Sequence, residues 1–214
     1  MMIKVVFFDF GGVLADEGFR EGLLAIARHH GLDPQEFLKT AVDLTFNQGF
    51  VTGKIDVKIY WQMLREKTGI HAPDEALSHE VLSRFSIRLW MLDLVKTLKQ
   101  ATIRVAILSD QTKWLDEFAK KHGFFQLFER IFNSYYLGMC KRDLALFDYV
   151  VAEMGVKPEE SLLIDDTQGN IERAKQRGLN GILFNTREAF EGELGEFFPF
   201  LESHKYWVSR LIKS

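Results

Sequence analysis

Four stretches of this sequence place reactive or ligand-type side chains beside short apolar runs. In FFDFGGVL (residues 7–14) an apolar run delivers the carboxylate of Asp9, and Gly11-Gly12 then make a tight turn where backbone amides can approach an anion closely. In ILSDQT (107–112) a second run ends in the hydroxyl of Ser109, which taken alone reads more readily as a cap for a following helix than as a ligand. LGMCKRD (137–143) carries Lys141 just ahead of a helical pattern, at a place where an isolated lysine is ordinarily solvated surface. LLIDDTQGNIERAKQRG (162–178) sets Asp165 and Asp166 side by side. Neighbouring carboxylates repel each other in a partly buried setting unless a cation joins them, so this pair points to a divalent metal.

Something must bring these four stretches together, and the elements around them suggest what. Residues 3–8, 103–108, 161–164 and 181–184 are short, apolar and often β-branched, and end in polar or turn-forming residues; 130–134 is a weaker fifth candidate. They read as buried parallel strands. Between them, 92–98, 144–154 and 170–177 have helical spacing. Alternating strand and helix from about 92 to 186 predicts an α/β protein, a Rossmann-like doubly wound parallel sheet with helices on both faces. In such sheets the C-terminal strand ends open on one crevice, and Asp9, Ser109 and the Asp165-Asp166 pair all fall there. A carboxylate nucleophile, a hydroxyl, an ammonium and a diacid gathered in one place make a phosphoryl-transfer site. Asp9 and the diacid would hold the cation, while Ser109 and Lys141 would hold the transferring oxyanion.

Residues 16–90 interrupt the alternation. They offer no strand, but helices at 19–27, from about Asp33-Pro34, at 57–67 and at 74–89. An all-helical insertion straight after the first strand is a candidate lid over that strand's end. The expected division is an α/β core of residues 1–14 and 91–214 with a helical cap domain of 15–90. Within the cap, Phe46, Phe50, Gly49 and Gly53 form a loop that would influence specificity, Trp61 or Trp90 would pack or shape the cleft, and His29-His30 would lie on a helix surface. The tail at 197–213 reads as a helix packed on the core or on a second subunit. The chain has 214 residues, a net charge of −3 with mixed signs, and one cysteine, Cys140. That excludes a basic field for nucleic acid or anionic membranes and excludes an internal disulfide framework. With no signal-like or membrane-spanning opening segment, the expectation is a cytoplasmic monomer or homodimer. Cys140 reads as a small buried residue, although Lys141 beside it would favour the thiolate.

The order Asp, Ser, Lys, Asp-Asp in these four contexts, over residues 3 to 186, resembles the haloacid dehalogenase-like hydrolases, and the helical insertion resembles the small cap of their phosphatase and dehalogenase branch. The resemblance implies that Asp9 is a nucleophile forming an aspartyl-phosphate that water hydrolyses. It implies Mg2+ held by Asp9, the backbone carbonyl of Gly11 and Asp166, with Asp165 set back from the ion. It assigns phosphate binding to Ser109 and Lys141, aided by the amides of Phe10, Gly11 and Asp110, and gives Asn170 the bracing of the diacid loop. The substrate it implies is a small phosphate monoester, of the sugar phosphate or nucleotide class.

Two positions depart from that pattern. Where the family's phosphatases carry a second aspartate that serves as general acid and base, this chain has Gly11; Asp16 is a candidate replacement, with helix capping as its alternative. Arg142 follows the lysine where proline is common, and exposure is the favoured reading. Two rivals to phosphatase follow: a hydrolytic 2-haloacid dehalogenase, which needs no cation and so leaves the diacid unexplained, and a lapsed, non-catalytic binding protein, whose only support is Gly11.

Overall fold

The computed structural model describes residues 2–203. Five parallel strands form one sheet: β1 (Val5–Phe8), β2 (Arg104–Ser109), β3 (Arg130–Asn133), β4 (Ser161–Asp165) and β5 (Asn180–Leu183), in spatial order β3-β2-β1-β4-β5. All five expected strands are present, including the weak one at 130–134. The side chains of the three central strands, β2, β1 and β4, alternate between two buried faces. Val6, Phe8, Val105, Ile107, Leu162 and Ile164 belong to one core, and Val5, Phe7, Ala106, Leu108 and Leu163 to the other. That double burial is why the strands read as unbroken apolar runs.

The helices in chain order are α1 (Gly18–His29), α2 (Pro34–Asn47), α3 (Val57–Thr68), α4 (Asp74–Ser83), α5 (Leu89–Gln100), α6 (Trp114–His122), α7 (Ser134–Leu137), α8 (Leu144–Glu153), α9 (Gln168–Gln176), α10 (Arg187–Phe197) and α11 (Phe200–Ser203). Helices α8 and α9 cover one face of the sheet. Helices α5, α6 and α10 join the other, and the insertion α1–α4 continues that core. Within the insertion α1 packs on α2 and α4, and α3 closes against both. Asp33 caps α2 through the amides of Gln35 and Glu36, with Pro34 opening the helix, as the sequence suggested.

The expected helix at 74–89 is too long. α4 stops at Ser83, and the chain then runs extended so that Ile87 bridges Ala15. The amide of Asp16 donates to Ser86 O (2.9 Å), and that of Arg88 to Leu14 O (2.9 Å). These two crossing segments carry the chain into and out of the insertion. Beyond them, Trp114 of α6 meets Phe19, Phe50 and Trp61, so one core aromatic ties the insertion to the sheet side.

Trp61 donates to Ser78 Oγ and is buried, while Trp90 packs on Phe184 and Phe190; both are packing residues. Among the described residues no helix is long and apolar enough to cross a membrane. Most of the tail helix expected at 197–213 lies outside the described residues, apart from α11 and the buried Phe198 and Leu201.

Candidate active site

Register sets the site. Phe8 pairs with Ile107 on one side and Ile164 on the other, so Asp9 emerges between Ser109 and Asp165 at the carboxyl edge of the sheet. The order β3-β2-β1-β4-β5 reverses direction at β1, and ligand crevices form at such reversals.

Three donors converge on Asp9 Oδ1. They are the Ser109 hydroxyl (2.5 Å), the Phe10 amide (2.7 Å) and the Lys141 ammonium (3.0 Å). Lys141 is fully buried and also meets Asp165 Oδ2 at 2.5 Å. Its own backbone is clamped, with its amide donating to the Asp110 carboxylate (2.9 Å) and its carbonyl accepting from Arg173 Nε (2.6 Å). Arg173 also donates to Asn170 Oδ1, and the Asn170 amide donates to both oxygens of Asp165 (3.0 and 3.1 Å). Asn170 therefore braces the diacid loop as expected. The Asp110 side chain and Arg173 are additions that no short motif marked, because each works by gripping the backbone of residue 141.

Burial and charge pull these groups in opposite directions. Burial drives Asp9 well above the ordinary carboxylate range; Lys141 pulls it down, and Asp165 pushes it up again. Asp166 and Asp110 are also raised by burial. Lys141 loses from burial, but Asp165, Asp9 and Asp110 together hold it above an ordinary lysine.

Four carboxylates thus crowd one ammonium, and a divalent cation fits the donor set. Asp9, Asp165 and Asp166 each offer an oxygen, all within 4.8 Å of one another. The oxygens of Asp165 already accept from Lys141, Asn170 and the Thr167 amide, which sets Asp165 back and leaves Asp9 and Asp166 forward. Gly12 makes the approach of Asp166 possible. Its φ is +78°, and a Cβ there would fall 2.0 Å from Asp166 Oδ2.

A cleft of about 710 Å³ opens over this edge. Asp9, Gly11, Asp110 and Asp166 line its floor, while Phe19, Leu38, Val42 and Phe46 of the insertion form an apolar wall. Arg142 also lines the cleft. It is exposed, as expected, yet its guanidinium stacks 3.5 Å above the Phe46 ring and so bridges the two sides.

Asp16 lies elsewhere. Its side chain is 58% exposed and pairs with Arg88 Nε at 3.1 Å, on the crossing segments. Nor does it cap α1: that role falls to Glu17, whose Oε1 accepts from the Arg20 amide (2.8 Å). Glu17 also lines the cleft, and burial raises its carboxyl. The chain's exit angle decides which of two adjacent acids turns inward, and spacing carries no trace of it. Two smaller expectations are settled as well. Cys140 is buried, and burial pushes its thiol up, so Lys141 does not activate it. In the 46–53 loop Phe46 reaches the cleft, whereas Phe50 stacks on Tyr60 inside the insertion.

Comparison with known proteins places this geometry among relatives. The haloacid dehalogenase-like hydrolase family profile matches residues 3–178. A D-ribitol-5-phosphate phosphatase of Bacteroides thetaiotaomicron is 25% identical over 185 residues, covering 83% of this chain and 89% of that protein. A drimenol cyclase of Aspergillus calidoustus is 32% identical over 124 residues, 55% of this chain. Several curated relatives are far longer: the chain spans 24% of that cyclase and 36% of a bifunctional epoxide hydrolase of Rattus norvegicus. Among solved structures, the magnesium complex of a haloacid dehalogenase-family enzyme from B. thetaiotaomicron shares the fold. It has a TM-score of 0.75 at 24% identity and covers 91% of this chain and 99% of that one.

Proposed function

The chain belongs to the haloacid dehalogenase-like hydrolases, and from that premise we propose that it is a magnesium-dependent phosphatase working through an aspartyl-phosphate on Asp9. The observation that carries the reading is the convergence of Ser109, Lys141 and the Phe10 amide on one oxygen of Asp9, with Asp166 beside it. Magnesium would be held by Asp9, Asp166 and the carbonyl of Gly11, and would offset the charge of the carboxylates and of the phosphoryl oxygens. Ser109 and Lys141 fix the nucleophile before substrate arrives. They then lie within reach of the phosphoryl oxygens, alongside the amides of Phe10, Gly11 and Asp110.

The insertion, residues 15–90, acts as the cap and keeps bulk water from the aspartyl-phosphate. The substrate is a small phosphate monoester of the sugar phosphate or nucleotide class, a choice supported by the ribitol phosphatase among the relatives. Its carbon skeleton would lie on the Phe19–Phe46 side, and its polar groups would face Arg20, Gln111, Thr112 and Arg142. The diacid weighs against a cation-independent dehalogenase.

The test is a screen over phosphorylated metabolites with magnesium, with chelator, and with Asp9→Asn. Phosphate release lost under both treatments supports the reading. Turnover of 2-haloacids indifferent to chelator would replace it.

A further inference from the structure

The cleft holds one further carboxylate, that of Glu17, and its position is specific. A Cβ built on Gly11 would stand 2.9 Å from Glu17 Oε2, with Gln111 Nε2 at 3.5 Å and the Phe85 ring at 3.6 Å from the same point. Glu17 thus reaches back from the start of α1 and fills the notch beside residue 11, two residues beyond the nucleophile. Its other oxygen is anchored, accepting from the Arg20 amide at the helix N-terminus. One oxygen is therefore fixed, and the other is presented to the floor of the cleft.

The other cleft acids are committed. Asp9 takes the phosphoryl group, Asp166 belongs to the cation cluster, and both oxygens of Asp110 accept from the Lys141 amide. Hydrolysis of a small-metabolite ester needs one more group. An alkoxide leaves poorly unless it is protonated, and the water that attacks the aspartyl-phosphate must give up a proton.

We propose that Glu17 is the general acid and base of this hydrolase, its carboxyl brought by the cap to the place that glycine leaves open. The assignment rests on the phosphatase reading. In the first half-reaction an Asp9 oxygen bonds to phosphorus, the bond from phosphorus to the ester oxygen breaks, and that oxygen takes the proton of the Glu17 carboxyl and departs as the alcohol. In the second, water gives a proton to the Glu17 carboxylate as its oxygen bonds to phosphorus. The bond from phosphorus to Asp9 breaks, releasing phosphate and restoring both carboxyl groups to their starting states. Because Glu17 caps α1, the placement of that helix sets the position of the acid.

The experiment compares alkyl phosphates with 4-nitrophenyl phosphate, whose leaving group needs little protonation, in the magnesium-loaded full chain. Glu17→Gln keeps the bond to the Arg20 amide. It should lower kcat on alkyl phosphates about 10²–10⁴-fold with little change in KM. The loss of the first step should be smaller on 4-nitrophenyl phosphate, where labelled phosphoenzyme should accumulate. Glu17→Ala should lose activity likewise, and adding Gly11→Asp to Glu17→Ala should restore at least tenfold, since the notch is then free for a carboxylate. Full activity of Glu17→Gln on alkyl phosphates overturns the proposal, as does an equal loss on both leaving groups with no rescue by Gly11→Asp. In either case wild-type turnover leaves the phosphatase reading standing. A wild-type chain inert toward every phosphate ester overturns both.

Discussion

Lys141 and Asp165 form an ion pair at 2.5 Å in which neither side chain has any exposed surface. The pair joins β4 to the loop ahead of α8, and through the second contact of Lys141 it reaches Asp9 at the end of β1. Two buried opposite charges are not in themselves a source of large stability, but removing one of them strands the other. Lys141→Met should therefore cost about 3–5 kcal/mol in urea unfolding at pH 7, and abolish phosphate release. Lys141→Met with Asp165→Leu should recover part of that stability and none of the activity.

Gly12 gives a sharper dissection of the metal site. With φ at +78° and Asp166 where a side chain would go, Gly12→Ala strains the backbone and displaces the acid. The backbone part alone is about 1–2 kcal/mol. The magnesium concentration giving half-maximal activity should rise at least tenfold, while the melting temperature falls by only a few degrees.

Arg142 and Phe46 couple the rim of the core to α2 through the stacked guanidinium. At such an exposed position the contact is worth about 0.5–1 kcal/mol. A double-mutant cycle with Arg142→Ala and Phe46→Leu should return a coupling energy of that size. Arg142→Ala should also raise KM more than it lowers kcat, because the residue lines the cleft from an exposed position.

A pH effect is expected away from the site. Glu129 accepts from Arg104, and that bond holds its carboxyl below the ordinary glutamate value while raising Arg104. For an acid depressed in the folded state, the stability it contributes is complete above the unfolded pKa of about 4.3 and is lost as pH falls through the folded value. Both side chains are more than a third exposed, so screening limits the contribution to about 0.5 kcal/mol. Glu129→Gln should lower stability by that amount at pH 7, and the two unfolding curves should converge below about pH 4.

What the sequence disclosed, and what it hid, follows from the range of the interactions involved. The central strands were legible because burial on both faces leaves them almost uniformly apolar, while the edge strand at 130–133, with Arg130 exposed, gave a weaker sign. Asp9, Ser109, Lys141 and the diacid were legible because each sits at a strand end or helix start with a distinctive residue type. Residues 84–88 misled because Phe85 and Ile87 prolong an apolar rhythm that the chain uses instead for an extended crossing. Helix α6 carries no side-chain cap at Lys113 to announce its start. The choice of Glu17 over Asp16, and the grip of Arg173 and Asp110 on residue 141, depend on contacts across 6 to 32 positions of chain, for which local pattern has no sign.

An aspartyl-phosphate on Asp9 is tested by finding where phosphorus goes. The magnesium-loaded protein would be mixed with a labelled phosphate ester that it turns over, quenched in acid within one turnover, and digested for mass spectrometry. Acid-stable label should appear on the peptide containing Asp9, be absent from Asp9→Asn and be prevented by chelator. Phosphate release at the wild-type rate with no labelled peptide, or with label on any other residue, would contradict it.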